Sequence, residues 1–390
     1  MTLSYTVILT PLLSNDIYDS PVDVTEYLEP GAISQIKQQL DQGQYEIGKF
    51  VYGSITVNFN NFKGKFNDRR FDSRSIFPYL RDRAKVDITF VDNDSSTEIS
   101  YRGLISDKAT RPDLSKHTMK FTLLSLDSIF EQSQNVSDAI QDGDTFSDAF
   151  QVLLSTPTIT SILNYSASNI NPTLDLTIDD SSVFNNLLAK NVIDVLLQAS
   201  NSILLIDDSA NIIIRNRTEN ANTPHLLYYN DQFKRDNIKR ILNVNNGLQR
   251  MFNSVLVNTF ESKDQTSINV YKIRQKRFTF SFITDETKAR IIGTSILGDF
   301  GIPKVEMDFE VSTSFAKDVE FLDKSTVDIQ PLSQEFRQNN IGIYSIDEYG
   351  KAYYSQDIYD FTFPNNIPLK MIAQFENPLN FNTILRLREI

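Results

Sequence analysis

The sequence predicts a mainly β protein with some α-helix, an α+β fold, and three observations lead to it. Strand-like alternation of apolar and polar side chains fills residues 1–125 and returns in residues 226–330. Helical spacing of apolar residues is concentrated between them, in residues 126–225. A chain of 390 residues exceeds what one hydrophobic core usually serves. We therefore predict three domains with these boundaries, followed by a C-terminal β segment at residues 331–390.

The first block consists of predicted strands. In the stretch YGSITVNFN, the apolar Ile55, Val57 and Phe59 alternate with polar residues, and a turn follows at Asn60–Lys65. Ala32–Leu40 fits either a short helix or a strand. The other predicted strands of this block are Val7–Leu9, Lys85–Phe90, Glu98–Ile105 and Thr118–Leu124.

Two amphipathic helices are predicted in the middle block. Thr145 or Asp144 can cap the first one, in TFSDAFQVLLST, and Pro157 is expected to end it. The second one lies in AKNVIDVLLQASN. The predicted buried faces are Phe146, Ala149, Phe150, Leu153 and Leu154 in the first helix, and Val192, Val195, Leu196 and Ala199 in the second. A hairpin of Ile203–Ile206 and Ile212–Arg215 is expected to follow.

The second β block contains the best predicted helix, Thr284–Gly298. Thr284 is expected to cap it, Gly301 and Pro303 to stop it, and its apolar stripe to pack on the surrounding strands. The stripe is Ala289, Ile292 and Ile296. The predicted strands around and after the helix are FNSVLVNTFES, VYKIRQKRFTFSFI, Val305–Val311, Ser325–Ile329, PLKMIAQF and NTILRLREI, with a hairpin turn at Asp347–Lys351.

Composition removes several kinds of chemistry. The chain has no cysteine, which excludes disulfides, thiolate metal sites and thiol nucleophiles. His117 and His225 are the two histidines, and neither stands in a helical two-histidine motif. We expect no catalytic, cofactor-binding or metal-binding residues. The N-terminus lacks the basic region of a signal peptide and is expected to be a strand, and no apolar run is long enough to span a membrane.

The carboxylates offer one faint metal motif. The stretch DNDSSTE resembles a calcium-binding loop through Asp92, Asp94, Ser96 and Glu98. Thr97 stands where that loop needs glycine and Arg102 where it needs glutamate, so a hairpin turn at Asp92–Ser96 is the favoured prediction. The pairs Asp179–Asp180 and Asp207–Asp208 are predicted to be a helix cap and a turn.

Two aromatic stretches could contact a ligand. The sequence YKIRQKRF, Tyr271–Phe278, interleaves basic and aromatic residues as nucleic-acid-binding strands do. The chain carries 38 basic and 50 acidic side chains, a net charge of −12, so an edge strand protected by its charges is the favoured interpretation. Tyr349–Phe361, the sequence YGKAYYSQDIYDF, could contact sugar but is predicted to pack in a core or an interface.

The N-terminal region resembles that of phage tail hub proteins. In that family a DVT-x-Y segment, an I-x-x-I-x-x-x-L-D segment, a glycine and a strand ending in N-x-x-G-x-F follow one another. The matching residues here are Asp23, Val24, Thr25, Tyr27, Ile33, Ile36, Leu40, Asp41, Gly48, Asn60, Asn61, Gly64 and Phe66. Later stretches are similar too: VIDVLLQASNSILLIDDSANIIIRNR, MFNSVLVNTF, FITDETKARIIGTSILGDFGIPKVEMDFEV, LDKSTVDI and LNFNTILRLREI. Leu322-Asp323 replaces the family's usual Gly-Asp.

The resemblance implies two tube-type β-barrel domains combined with a mixed α/β domain. It also implies a homotrimer whose six tube domains form a pseudo-sixfold ring in the virion tail tip or baseplate, assembled in the host cytoplasm. The implied partners are tail-tube or distal tail protein rings, a tip, spike or fibre protein, and genomic DNA in transit. No cofactor is implied, and the peptidase or lysozyme-like module of many relatives is not expected here.

Two other classes of function remain open at this point: a tail-associated enzyme that degrades the cell wall, and a receptor-binding or sugar-binding tail-tip protein. The negative charge favours a conduit that does not bind its DNA. In such a conduit we expect Asp and Glu to outnumber Lys and Arg on the channel wall. Lys272, Arg274, Lys276 and Arg277 are then expected on an outer or inter-subunit face, paired with acids of a neighbour.

Overall fold

The computed structural model describes residues 3–12, 18–29, 36–39, 52–61, 66, 83–94, 96–106, 111–113, 117–132, 139–207, 209–217, 225–229, 236–245, 248–316, 319, 324–329, 367–377 and 382–389. The fold is mainly β with a smaller helical share, as predicted. The chain forms two units. Unit 1 holds the described residues up to Asn216 and those at 375–377, and unit 2 holds those from Arg217 to Gln374 and from Asn382 onward. The four-part domain division stays a prediction.

Unit 1 is built on a mainly antiparallel sheet. Its strands pair in the order β2-β1-β5-β6-β8-β4-β3, and β7 also pairs with β8. The strands are β1 Leu3–Thr10, β2 Val22–Asp23, β3 Ile36–Gln39, β4 Tyr52–Asn60, β5 Lys85–Asp92, β6 Thr97–Ile105, β7 Arg111–Asp113 and β8 Thr118–Ser125. All five strands predicted for this block are present. Of Ala32–Leu40, predicted as either a helix or a strand, the structure describes Ile36–Gln39, and these residues form the strand β3.

The alternation in the sequence places one face of this sheet in the core. Val86, Ile88 and Phe90 of β5 are buried, whereas Asp87 and Thr89 between them are half-buried. Asp92 and Thr97 are opposite each other across the predicted hairpin turn. Tyr101 is buried as well, and its hydroxyl donates to the carbonyl oxygen of Leu123 at 3.2 Å. Burial raises the pKa of this phenol, so the group stays a neutral donor.

The aromatic that ends the Asn60–Lys65 turn, Phe66, belongs to this core. It is 2% exposed, and its ring lies 5.3 Å from that of Phe59 and 5.8 Å from that of Phe121. The side-chain oxygen of Asn61 accepts the Phe66 N–H at 2.9 Å. The far end of the turn is therefore anchored in its own unit, while residues 62–65 lie outside the described residues.

The middle block adds helices and a hairpin to unit 1. The α-helices are α1 Phe146–Leu154, α2 Pro157–Thr160 and α3 Ala189–Ala199, and the hairpin strands are β9 Ser202–Ile206 and β10 Ile212–Asn216. The five predicted residues of α1 are all buried. In α3, Val195 is only half-buried, whereas Ile193 and Leu197 are buried, so its apolar face is wider than predicted. Short 3-10 helices lie at Thr25–Tyr27, Leu126–Gln132, Ala167–Asn169 and Ser181–Phe184.

Thr145→Ala is expected to destabilise the protein by about 1 kcal/mol. The Thr145 hydroxyl accepts the Asp148 N–H, and the Asp148 carboxylate accepts the Thr145 N–H, which is a complete capping box. Chemical denaturation measures the change. Thr156→Ala is the matched control, because Thr156 precedes α2 without a side-chain cap bond. Equal effects of the two substitutions would contradict the assigned role of the box.

Unit 2 contains a second set of strands. β16 lies between β12 and β19, antiparallel to both. β17 pairs parallel with β11 and antiparallel with β18. The strands are β11 His225–Tyr229, β12 Ile238–Asn245, β13 Ser254–Val257, β14 Phe260–Lys263, β15 Gln275–Phe278, β16 Glu306–Ser312, β17 Lys324–Ile329, β18 Ile367–Asn377 and β19 Asn382–Glu389. The helices are α4 Gln265–Tyr271, α5 Glu286–Phe300 and α6 Thr313–Ala316.

Residues 248–303 form a small α/β module within unit 2. Its sheet has the order β14-β13-β15, with β13 antiparallel to β14 and parallel to β15, and α5 packs on β13 and β14. The predicted stripe of α5 is fully buried. The prediction of Thr284 as the cap was wrong: the Asp285 carboxylate accepts the Lys288 N–H, and the helix begins one residue later.

Two predicted strands of this module need correction. FNSVLVNTFES is the hairpin of β13 and β14, because Asn258 turns the chain at a φ of 54°. VYKIRQKRFTFSFI forms a strand only at β15, and its first residues end α4. β13 and β15 are parallel, and parallel strands need a crossover connection. Here α4, which follows β14 in the chain, leads back to β15. The predicted turn at Asp347–Lys351 and the aromatic stretch Tyr349–Phe361 lie outside the described residues.

Candidate functional site

The two histidines occupy separate structural positions. His117 is an exposed turn residue with a φ of 51°, and its carbonyl oxygen accepts the Asn61 N–H. His225 begins β11 and is half-buried. Among the described residues no group of three or more His, Asp or Glu side chains is placed to hold a metal ion. No described helix is both long and apolar enough to cross a membrane.

The acidic pairs flagged in the sequence serve local backbone geometry. The Asp92 carboxylate accepts the Asp94 N–H in the β5–β6 turn. Asp180 caps the 3-10 helix that follows it by accepting the Ser182 N–H. Asp207 accepts the N–H groups of Ser209 and Asn211. The positions of Asp92, Asp180 and Asp207 confirm the predicted turn, cap and turn, and Asp208 lies outside the described residues.

A row of carboxylates on β16 was not predicted from the sequence. Glu306, Asp308 and Glu310 alternate along the strand and are each less than 10% exposed. An arginine neutralises each one. Arg250 donates a hydrogen bond to Glu306 at 2.9 Å, and Arg240 donates one to Glu310 at 2.7 Å. Arg386 donates two hydrogen bonds to Asp308, at 2.7 and 2.9 Å. Because all three acids are in ion pairs, this row is structural and does not provide a free general acid or base.

A small cavity lies in the core of unit 1, and it is not a ligand site. Its volume is about 10 Å³, roughly one water-sized sphere, and its walls are apolar. The lining residues are Leu9, Val24, Phe59, Phe66, Val86, Ile105 and Phe121.

The basic stretch Tyr271–Phe278 begins at the end of α4 and ends in β15, with an unusual loop between them. We call the segment Val270–Arg274, the end of α4 and this loop, the knob. Val270 is 61% exposed and Ile273 57% exposed, although both are large apolar residues. Ile302, 52% exposed, follows Gly301, whose carbonyl oxygen accepts the hydroxyl of Ser267 in α4. The end of α4 therefore carries an exposed apolar group within a basic stretch.

One buried side chain fixes the shape of the knob from inside. Asn253 is fully buried, and its amide nitrogen donates to the Lys272 carbonyl oxygen at 2.8 Å. Its amide oxygen accepts the Arg274 N–H, also at 2.8 Å, and its backbone N–H donates to the Arg274 carbonyl oxygen. Asn253 thus binds the backbone on both sides of Ile273 and holds that residue outward.

Lys272 carries the backbone strain of the knob. Its φ is 62° and its ψ is 170°, a combination that is otherwise almost confined to glycine. Such a conformation costs about 1–3 kcal/mol and persists only where surrounding contacts hold it. The bonds from Asn253 are such contacts.

Asn253→Ala is expected to release the knob and to raise its cleavage by trypsin at Lys272 and Arg274. The substitution removes the bonds that hold the strained backbone and leaves buried groups unpaired, so we expect a loss of about 1–3 kcal/mol. Limited proteolysis with mapping of the first cuts measures the release. Asn269→Ala, on the exposed side of α4, is the control. First cuts at the same sites and rate in wild type and Asn253→Ala would show that Asn253 does not hold the loop.

Charge is distributed unevenly along the chain. Residues 248–303 contain eight Lys and Arg against five Asp and Glu, a net charge of +3. The remaining residues contain thirty bases and forty-five acids, a net charge of −15. Two hydrogen bonds hold the pKa of the Glu261 carboxyl below its usual range. The bond from Lys263 has the larger effect and the bond from Ser254 the smaller one, so Glu261 remains ionised. Within the described part of the chain, neither Lys272 nor Arg277 forms an ion pair.

No protein-family model matches the sequence, and no curated protein matches it either. Solved structures do match the fold. The crystal structure of the tail protein from Neisseria meningitidis MC58 has a TM-score of 0.58 and 10% identity, over 100% of this chain and 97% of that one. The 43 kDa tail protein of prophage MuSo2 from Shewanella oneidensis has a TM-score of 0.53 and 9% identity, over 98% and 97%.

A third match is a chain of the Francisella PdpA–VgrG complex, with a TM-score of 0.51 and 8% identity over 99% of this chain and 52% of that one. The chain shares its fold with the two tail proteins and with that chain of the PdpA–VgrG complex. The resemblance inferred from the sequence is thereby confirmed at the level of the fold.

Proposed function

We propose that this protein is a structural subunit of a phage tail, the hub of the tail tip or baseplate. The observation that carries the proposal is the fold, which matches two tail proteins over nearly the whole length of both partners. The contacts of the described acids agree with it: Asp92, Asp180 and Asp207 bind backbone in turns and a cap, and the three β16 carboxylates are in ion pairs. The role is geometric and needs no cofactor.

In this proposal three copies form a ring with six tube-type β-barrel domains. Such a ring adapts a sixfold tail tube on one side to a threefold tip, spike or fibre on the other. One observation supports two such domains: the described strands of each unit pair mainly in antiparallel fashion. DNA passes through the ring without being bound, in keeping with the net charge of −12.

Three copies per particle are the expected result when the assembled tail is purified and its copy number is measured by quantitative mass spectrometry against a neighbouring ring protein. Six copies in a true sixfold ring would contradict the pseudo-hexamer. The same particles imaged by electron microscopy should show acids on the channel wall. A channel lined by Lys272, Arg274, Lys276 and Arg277 would contradict the repulsive conduit, because each neutralised phosphate would add salt-dependent affinity.

A peptidoglycan zymogram separates the structural role from a cell-wall-degrading enzyme. We expect no clearing by the purified chain. Turnover that disappears after one Asp or Glu substitution would establish an enzyme instead. Binding of purified cell-surface sugars, lost when the aromatics of Tyr349–Phe361 are replaced, would establish the receptor-binding alternative.

A further inference from the structure

We propose that the knob, Val270–Arg274, is the contact through which one copy of this chain holds the next in the proposed ring. The partner is the acidic surface of a second copy, outside its module of residues 248–303. The interface is head-to-tail: each copy offers one knob and receives one.

The exposure of the knob is the first support. Val270 and Ile273, three residues apart in one short segment, each expose more than half of their surface. Single exposed apolar residues are ordinary on a monomer, but a group of them at one corner is typical of a contact surface. The apolar residues here alternate with Lys272 and Arg274, so an occupant must bury apolar atoms and neutralise positive charge together.

The rigidity of the knob is the second support. A flexible loop would lose conformational freedom on binding, and that loss weakens association. Here Asn253 already holds the backbone in place before any partner arrives. Backbone strain of the kind found at Lys272 is concentrated at sites that clamp or switch on a partner, and the energetic cost of the strain indicates a use for it.

Charge complementarity identifies the partner. The module carries +3 and the rest of the same chain −15, so two copies attract when the module of one faces the remainder of the other. Lys272 and Arg277 make no ion pair among the described residues and are available to such a partner. Different patches then meet, and contacts of this kind close into rings when the rotation between copies permits.

The open edge of β15 adds a geometric reason. Among the described strands, β15 pairs only with β13, so no described strand lies along its other edge, directly after the knob. Such edges accept an extended segment of another chain. A neighbouring copy that covers the knob also lies beside this edge.

Three variants of this 390-residue chain test the contact by sedimentation over a concentration series at low and high salt. Ile273→Asp is expected to weaken self-association at least about tenfold, as loss of a central apolar contact does. Ile291→Asp is the control. Ile291 is also an exposed isoleucine, at 40%, but it lies in α5 and outside the knob, so this variant is expected to associate like wild type. Lys272→Gly is expected to melt at a higher temperature because strain is relieved, and yet to associate more weakly because the charge is lost.

Mixing then tests the direction of the contact. An Ile273→Asp copy retains the acidic surface, so it should bind one wild-type knob and cap the growing assembly instead of remaining free. High salt should weaken the wild-type contact. If Ile273→Asp associates like wild type, the knob is not the contact, although three copies per particle would still support the ring.

A wild-type chain that is monomeric at every concentration also overturns the knob as a contact between copies, and the copy number in the particle decides the ring separately. The remaining outcome concerns nucleic acid. If wild type binds a labelled single-stranded DNA oligonucleotide, and Lys272→Gly and Ile273→Asp lose that binding while their self-association is unchanged, the knob serves nucleic acid and the proposal is wrong.

Discussion

Ile292→Asp is expected to lower the free energy of unfolding by about 3–5 kcal/mol, the cost typical of an uncompensated buried charge. Ile292 is completely buried in α5, where the helix packs on β13 and β14. Nearby cationic groups on the helix, such as Arg290, point to Glu286 and to the Glu261 backbone instead. A domain has a net free energy of unfolding of about 5–15 kcal/mol, so this substitution removes a large part of that stability.

Chemical denaturation of wild type and variant measures this loss, and the adjacent residue supplies the control. Ile291 lies on the same helix but is 40% exposed, so Ile291→Asp should change stability by less than about 0.5 kcal/mol. The two variants carry the same substitution in the same helix, and they differ only in how deeply the replaced isoleucine is buried. An unchanged denaturation midpoint for Ile292→Asp would show that the stripe of α5 is not packed as described.

Arg386→Ala is expected to cost about 3 kcal/mol or more, because it leaves the Asp308 carboxylate charged and largely buried without its partner. The Asp308 side chain is 13% exposed, and both of its oxygens accept bonds from Arg386 of the neighbouring strand. Two parallel hydrogen bonds from one arginine both neutralise the carboxylate and fix its orientation, so water does not readily replace them.

The exposed pair Arg102–Asp87 provides the comparison, since it also joins two antiparallel strands. Its side chains are 47% and 34% exposed, and Arg102→Ala should cost less than about 1 kcal/mol. Thermal denaturation of both variants, with the heat of unfolding, gives the two values. Equal losses of stability in the two variants would mean that the β16 carboxylates are solvated in solution. They would then again be candidates for a catalytic role.

Features determined by neighbouring residues could be predicted from the sequence. The strands of unit 1 follow from alternation, and the Asp92–Ser96 turn and the Thr145 cap follow from residue types whose side chains bind the adjacent backbone. The buried stripe of α5 follows from helical spacing, and the overall resemblance to tail hub proteins follows from the order of many weak local patterns. In each case the information lies within a few residues of the feature.

Features determined by distant partners could not be predicted. Asn253 resembles any polar residue before a strand, because its role depends on Lys272 and Arg274 about twenty residues later. The stretch VYKIRQKRF has the composition of a strand, but the parallel pairing of β15 with β13 requires a helix and a strained residue within it. Glu306, Asp308 and Glu310 resemble surface acids until the arginines of other strands are placed beside them.

The position of β19 has a consequence for how the protein is made. β16 pairs with β12 before it and with β19 after it, and Thr313 and Thr383, whose hydroxyls share a hydrogen bond, are 70 residues apart in the chain. During synthesis at about 5–20 residues per second, β16 therefore waits several seconds with one edge open. During that interval Asp308 lacks its arginine, because Arg386 arrives only with β19, and this uncompensated charge on the open strand discourages pairing with another nascent chain.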